Sequence, residues 1–137
     1  MFTPQERDYL QTQRLARLAT VAADGQPTVD AVGFTFDDGR FYIGGRNLQG
    51  TRKYRNVNAG NRGVALIIDD LASVQPWAPR GIKVHGIAEI VERDGMFGPG
   101  TYLAITPIVS WSWGIVGTST TFEEGRFRPH KIVWTAP

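Results

Sequence analysis

The sequence predicts a mainly β protein, a small antiparallel barrel with a few helices. About seven short strand-like runs follow one another at regular spacing, separated by turn residues such as Asp24-Gly25. Only two stretches carry a helical pattern, which favours a barrel over a sandwich because short helices can cap the ends of a barrel. The 137 residues are expected to form one domain, residues 1–137, since this length buries a single core and no linker interrupts it.

The first half of the chain opens with a helix and continues as hairpins. The helix is predicted to begin after Thr3, because residues 3–6 (TPQE) form a capping box with proline at the first helical position. A second helix is expected at residues 48–59, with its apolar side chains facing the sheet. Strands are predicted at residues 15–22, 27–34 and 40–44, with turns at 24–25 and 37–39.

The second half is predicted to consist of strands and loops. The apolar run at residues 64–68 is expected to be a strand covered on both faces, with an extension past a bend at 71–74. A β-bulge is predicted at Gly86, and Pro107 is expected to interrupt the chain before a further strand. The remaining predicted elements are a loop at 75–81, a strand at 82–91, a turn at 94–100, a short segment at 102–105, a strand at 108–116, a loop at 118–121, a hairpin turning at Gly125 and a strand at 131–134.

The composition argues against several classes of function. The formal net charge is only +2, with 15 Lys and Arg against 13 Asp and Glu, which is too weak to indicate a nucleic-acid partner. Cysteine is absent, so the chain has no disulfide or thiolate metal site, and a cytoplasmic location is expected. The first residues lack the apolar core of a signal peptide, and no apolar run approaches the length of a membrane span.

Few residues offer catalytic chemistry of their own. The two histidines, His85 and His130, lie far apart without metal-ligand spacing, so no metal site is expected. No serine lies on a nucleophile-elbow motif, and paired acids such as Asp69-Asp70 fit turns at strand ends. The sequence therefore assigns no catalytic residue.

One cluster of basic residues does point to a ligand. Five cations and no acid lie within residues 46–62. At the start of the basic helix, the hydroxyl of Thr51 and the cationic groups of Arg52 and Lys53 would converge with backbone N–H groups on a phosphate. The alternative is a solvated helix face, and it stays open for Arg55 and Arg62.

A tryptophan supplies a second indication of a ligand. Trp77 lies in the predicted loop between Pro76 and Pro79. A loop tryptophan in such a setting often lines a pocket or an interface, whereas most other aromatic residues of the chain are expected in the core. A planar heteroaromatic ligand with a phosphate tail would use both the basic cluster and this aromatic side chain.

Several segments, in order, carry a family resemblance: LARLATVAADGQP, VGFTFDDGRFYIGG, TRKYRNV, VALIIDD, PWAPRG, VHGIAEIV and SWSWG. With these segments the chain resembles the pyridoxamine 5'-phosphate oxidase-like superfamily of split β-barrel flavoproteins. Within it, the chain is most similar to the small actinobacterial-type branch that uses the deazaflavin coenzyme F-420. The resemblance implies an antiparallel split β-barrel of the FMN-binding type.

The resemblance also implies a homodimer with a cofactor site shared between two copies of the chain. In such proteins a Ser/Thr-Arg-Lys element holds the phosphate, and here it corresponds to Thr51, Arg52 and Lys53. The residues expected to lie along or beneath the ring come from two predicted strands: Thr28, Asp30, Ala31, Val32, Ile43 and Gly44. Those expected to close the pocket from the second copy are Trp77, Arg80 and Trp113.

The chain also departs from the true pyridoxamine phosphate oxidases. These carry an arginine and a lysine on the strand where this chain has residues 27–32, and their C-terminal substrate-binding arginine and histidine are not recognisable in FRPHKIVWTAP. Oxidation of vitamin B6 is therefore not expected. The leading hypothesis is hydride transfer between F-420 and a small conjugated substrate, which needs orientation and exclusion of water more than an acid or base. The alternatives are an FMN-dependent oxidoreductase and a non-catalytic carrier of a flavin, haem or bilin.

Overall fold

The computed structural model describes residues 1–115, 121–123 and 126–135. The helical elements are α1 (Pro4–Thr12), a 3₁₀ turn (Leu48–Gly50) and α2 (Arg52–Asn58). The strands are β1 (Leu15–Val21), β2 (Pro27–Gly33), β3 (Thr35–Asp37), β4 (Arg40–Ile43), β5 (Gly63–Ser73), β6 (Ala78–Gly95), β7 (Gly98–Trp113), β8 (Thr121–Glu123), β9 (Arg126–Arg128) and β10 (His130–Val133). These ten strands in the described part of the chain exceed the roughly seven that were predicted.

The main sheet is antiparallel and open. Its strand order is β2-β1-β5-β6-β7-β4-β3, and β10 pairs with the last part of β7, beyond β4. β8 pairs with β9 in a separate hairpin. The two edge strands, β2 and β3, are consecutive in the chain and are joined by Phe34 alone, so the sheet must curve back towards itself. This open, curved sheet confirms the predicted split β-barrel.

The core lies on the concave side of the sheet and includes both ends of the described chain. Phe2 makes edge-on ring contacts with Phe36 and Trp134, at centroid distances of 5.3 and 4.7 Å. The predicted capping box of α1 is present: the backbone N–H of Thr3 donates to Glu6 Oε1 at 3.0 Å, and the N–H of Glu6 donates to Thr3 Oγ1 at 3.1 Å. Local capping and long-range aromatic packing therefore fix the N-terminal segment together.

The strand boundaries predicted from Pro79 and Pro107 differ from the observed ones. β6 begins at Ala78, so the predicted loop at 75–81 is wrong; Pro79 pairs only with β5, because the β6–β7 ladder starts at Gly81. β7 continues through Pro107, because this proline lies opposite Gly86 at a break in the β6–β7 register. That break confirms the predicted bulge, where a missing N–H disturbs the ladder least.

Other boundaries also differ from the prediction. The predicted turn at 94–100 is reduced to Met96 and Phe97, between the ends of β6 and β7. The predicted helix at 48–59 is interrupted at Thr51, whose extended backbone caps α2. Of the predicted loop at 118–121, residues 118–120 lie outside the described residues and Thr121 begins β8; the turn at Gly125 and residue 116 also lie outside them. None of the helices in the described ranges is long and apolar enough to cross a membrane.

Candidate functional site

The start of α2 is built around the Thr51 hydroxyl. This hydroxyl accepts a hydrogen bond from the N–H of Tyr54 at 3.3 Å and donates one to the carbonyl of Leu48 at 2.5 Å. The N–H groups of Arg52 and Lys53 are in the first turn, where a helix offers them no carbonyl partner. The Arg52 side chain is exposed. Two backbone donors and two cationic side chains are thus grouped at one end of α2.

Lys53 joins this helix end to the edge strand β2. Its Nζ lies 3.8 Å from Asp30 Oδ2, and its side chain is only 15% exposed, against 41% for Asp30. The separation is that of a loose ion pair, so Lys53 keeps capacity for a further anionic partner. The structure therefore brings together a residue predicted to bind the phosphate and a residue predicted to lie along the ring.

A buried hydrogen bond holds α2 against the sheet. Asn56 Nδ2 donates to Thr20 Oγ1 of β1 at 2.9 Å, and both side chains are buried. Thr20 in turn pairs with Thr28 of β2. Breaking a satisfied buried pair of this kind costs about 1–3 kcal/mol. The position of Lys53 beside β2 is therefore fixed by packing and hydrogen bonding further along the same helix.

The predicted residues of β2 divide between its two faces. Thr28, Asp30 and Val32 alternate with Val29 and Ala31, so only the first three share a face. Val32 is buried in the core, while Ala31 is exposed on the opposite face. β2 is an edge strand that pairs only with β1 among the described strands, so every second residue turns its backbone N–H and C=O away from the sheet.

Ile43 and Gly44, at the end of β4, are covered by other side chains of the same chain. Ile43 is fully buried in the core. A Cβ on Gly44 would collide with the ring of Tyr102, and it would stand 3.1 Å from Phe97 Cδ2. The space that this glycine leaves is therefore filled by Tyr102, which is itself buried.

The three remaining predicted residues lie at the other end of β5, β6 and β7. Trp77 is 68% exposed in the turn that joins β5 to β6. The ring of Trp113, at the end of β7, packs over Gly81, where a Cβ would meet it. Arg80 follows on β6. In the part of the chain that the structure describes, neither Trp77 nor Arg80 makes a hydrogen bond or ion pair with Lys53 or Asp30.

Arg80 is held in a network that the sequence analysis missed. Arg80 Nε and Nη2 donate to the two carboxylate oxygens of Asp70 at 2.9 and 2.6 Å. Tyr9 Oη donates to Asp70 Oδ1 at 2.9 Å, and Gln13 Nε2 donates to Oδ2 at 3.1 Å. The Arg80 guanidinium also lies 5.1 Å from the centre of the Tyr9 ring. Four donors therefore converge on one carboxylate.

The network shifts the pKa values of Asp70 and Tyr9 in opposite directions. Hydrogen bonds from Arg80 hold the pKa of Asp70 below its usual range, and the bonds from Tyr9 and Gln13 act the same way. Burial, followed by the hydrogen bond to Asp70, raises the pKa of Tyr9 well above its ordinary value. Asp70 thus stays ionised and Tyr9 stays a neutral donor at neutral pH.

Asp69 and Asp70 were predicted at a strand end, and this prediction is wrong, since both lie inside β5. The ten-residue separation of Asp70 from Arg80, across a β5–β6 hairpin, is the signal that could have identified the pair. Beside the network lies a cleft of about 460 Å³ between α1, β5 and the end of β7. Within the described ranges, no group of three or more potential metal-ligating side chains is found.

Comparison with known proteins assigns the family. Residues 2–110 match the sequence model of the pyridoxamine 5'-phosphate oxidase family. The chain belongs to this family. A 5a,11a-dehydrotetracycline/5a,11a-dehydrooxytetracycline reductase of Streptomyces rimosus is 36% identical over 131 residues, which cover 91% of this chain and 92% of the reductase.

Solved structures share the fold of this chain. An F420 reductase is 26% identical with a TM-score of 0.61, and the match covers 76% of this chain and 94% of that protein. A conserved hypothetical protein of Mycobacterium tuberculosis is 21% identical with a TM-score of 0.67, over 83% of this chain and 85% of that protein. Lys53, Asp30 and Arg80 lie inside the part matched to the pyridoxamine 5'-phosphate oxidase family, whereas Trp113 lies beyond it.

Proposed function

We propose that the protein is an oxidoreductase that transfers hydride between the deazaflavin coenzyme F-420 and a small conjugated substrate. The observation that carries the proposal is the approach of Lys53, at the start of α2, to Asp30 on the edge strand β2. It is supported by membership of the pyridoxamine 5'-phosphate oxidase family and by the 36% identity to a reductase. The similar structure of an F420 reductase favours F-420 as the ring.

The phosphate of the cofactor is assigned to Thr51, Arg52 and Lys53. The Thr51 hydroxyl already makes two hydrogen bonds within the chain. Its main contribution is therefore to cap α2, so that the first turn of the helix faces the ligand. α2 has only seven residues, so most of the attraction must come from the side-chain cations rather than from the helix dipole. Lys53 is the stronger candidate of the two, because its low exposure reduces solvent screening.

The ring is assigned to the edge of β2, beside Thr28, Asp30, Ala31 and Val32. The outward N–H and C=O groups of an edge strand can pair with the amide-like edge of a flavin or deazaflavin. When bound, the reduced ring would supply a hydride to a conjugated carbon of the substrate, and the resulting anion would take up its proton from solvent after the transfer. The protein's own part is to orient the two molecules and exclude water, which requires no general acid or base.

The site requires a second copy of the chain, and we propose a homodimer. The outer face of the sheet carries a row of directly paired residues across six strands: Val29, Ala19, Ala65, His85, Val109 and Val133. Val29 and Val133 are 64% and 70% exposed. A row in which five of the six side chains are Ala or Val suits a two-fold interface. Trp77, Arg80 and Trp113 of the second copy would then close the pocket, and a cytoplasmic location fits the reduced coenzyme.

The proposal is tested by titrating the purified protein with F-420 and with FMN while following fluorescence. We expect F-420 to bind, and Lys53→Ala to weaken that binding about 10- to 150-fold, as for loss of a hydrogen bond to a charged group. Arg55→Ala is the matched control, since it removes one exposed cation from the same helix and should leave the dissociation constant unchanged.

Each outcome separates the proposal from its rivals. If F-420 does not bind, the deazaflavin assignment fails, and a yellow protein that binds FMN would establish the flavin alternative. If Lys53→Ala and Arg55→Ala behave alike, the phosphate does not lie on Lys53. Tight binding without turnover against a panel of conjugated acceptors would show a carrier instead of an enzyme.

A further inference from the structure

A second groove, of about 450 Å³, opens where the two edges of the sheet meet. Its floor is formed by Phe34 and Phe36, on either side of the start of β3. One wall is the β6–β7 turn, with Met96 and Phe97, and the facing rim includes Arg14, just after α1. None of the residues that line the groove is acidic.

The wall exposes two large apolar side chains, and hydrogen bonds with Tyr102 hold the backbone of the turn that carries them. Met96 is 51% exposed and Phe97 is 52% exposed. The N–H of Phe97 donates to Tyr102 Oη at 2.9 Å, and Tyr102 Oη donates to the carbonyl of Gly98 at 2.7 Å. Gly33 lets the turn lie close to β2, since a Cβ there would stand 3.3 Å from Met96 Cε. A buried tyrosine therefore fixes an apolar wall that faces solvent.

The rim of the groove carries the positive charge of Arg14. In the part of the chain that the structure describes, the Arg14 guanidinium has no hydrogen-bond or ion-pair partner. Gln11, beside it on the rim, is exposed as well. An unpaired guanidinium next to aromatic walls, with no acid in the lining, suits a ligand that is both apolar and anionic.

We propose that this groove binds the substrate of the enzyme, and that the substrate is a planar apolar ring system carrying an acidic oxygen, a carboxylate or enolate. The rings would pack between Phe97 and Phe36, and the anionic oxygen would accept hydrogen bonds from Arg14. The assignment rests on the proposed function. Gly33 is the last residue of β2, about 10 Å along the strand from Asp30, so a substrate here would lie at the end of the cofactor ring.

The first test measures ligand binding without cofactor. The probes are anthracene-9-carboxylate and the neutral 9-anthracenemethanol, followed by their own fluorescence. We expect the carboxylate to bind more tightly, and Arg14→Gln to weaken it about tenfold while leaving the alcohol unchanged. Arg55→Gln removes one exposed cation elsewhere and should change neither. Phe97→Ser should weaken both probes.

The second test separates the substrate site from the cofactor site. Saturating F-420 should leave the anthracene-9-carboxylate bound, and Arg14→Gln should bind F-420 as the wild type does. Equal effects of Arg14→Gln and Arg55→Gln, displacement of the probe by F-420, or a change of oligomeric state in Phe97→Ser would each overturn the proposal. Arg14-dependent probe binding in a protein that fails to bind F-420 would overturn the proposed function and, with it, the role of the groove in hydride transfer.

Discussion

Replacing Asp70 by Asn tests how firmly α1 and the β5–β6 hairpin are joined. The carboxylate accepts hydrogen bonds from Tyr9, Gln13 and both donors of Arg80 that face it. An asparagine keeps one acceptor oxygen and turns an N–H₂ group towards the donors on the other side. Two hydrogen bonds are lost at a position where the remaining donors are part-buried.

The size of the effect follows from the exposure of the pair. Hydrogen bonds to charged groups contribute about 1.5–3 kcal/mol each when buried. The Arg80 and Asp70 side chains are 33% and 29% exposed, so solvent screening reduces the combined loss to about 2 kcal/mol. For 137 residues the entropy of unfolding is about 0.29 kcal/mol per kelvin, which converts that loss into a fall in Tm of about 7 °C.

The same carboxylate gives the prediction a pH dependence. Since the folded state holds the pKa of Asp70 below its usual value, its contribution is complete above the unfolded pKa of about 3.9 and is lost as the pH falls through the lower, folded value. Calorimetric or urea melts at pH 7 and at successively lower pH should therefore show the wild type and Asp70→Asn converging below pH ~4.

Asp69→Asn is a control at the adjacent residue. Asp69 pairs with Arg17, and both side chains are nearly half exposed, so its loss should cost under about 1 kcal/mol. The reasoning fails if Asp70→Asn is no more damaging than Asp69→Asn at pH 7, or if its deficit persists undiminished at low pH.

Two further changes test packing on the inside and on the outside of the sheet. Gly44→Ala should destabilise the fold by about 1–3 kcal/mol, because its Cβ collides with the buried ring of Tyr102, whereas Gly63→Ala meets no atom within 4 Å and should be neutral or slightly stabilising in the same urea melt. Ala65→Glu should convert the proposed dimer into a monomer in light scattering, since it places an unpaired charge at the centre of the outer face. Ala23→Glu, in the exposed β1–β2 turn, is the control and should leave the dimer intact. If the Ala65→Glu protein is still a dimer, the interface lies elsewhere.

The local features of the fold were predictable because they depend on neighbours in the sequence. The capping box at Thr3 and the bulge at Gly86 needed only turn, helix and strand chemistry. The errors at Pro79 and Pro107 have one cause: a proline ends a strand only where its missing N–H faces a partner strand. Which side of each strand is paired depends on the sheet order, and residue patterns alone did not show it.

The residues of the candidate site likewise divide into those that local patterns indicated and those that such patterns missed. A short motif was enough to single out Lys53, and the family resemblance named Asp30 as a residue along the ring; their approach to 3.8 Å was not predicted. Tyr9 and Asp70 were not predicted, because their roles depend on distant contacts: Tyr9 bonds to Asp70, 61 residues away, and Asp70 bonds to Arg80, 10 residues away. Arg80 was named for a pocket, yet within one chain its carboxylate partner holds it against α1. Residues that act through distant partners are the ones that sequence patterns miss.

The geometry of the sheet limits what one chain can contribute to the proposed pocket. Asp30 pairs with Leu18, which pairs with Leu66, and Asp70, the partner of Arg80, lies four residues further along β5. Three strand spacings across and four residues along place Arg80 roughly 19 Å from Asp30. That span is too large for both side chains to contact one cofactor ring from the same sheet. Under the proposed function, Arg80 would have to reach the ring from a second copy of the chain. Dimer formation and cofactor binding should therefore be lost together.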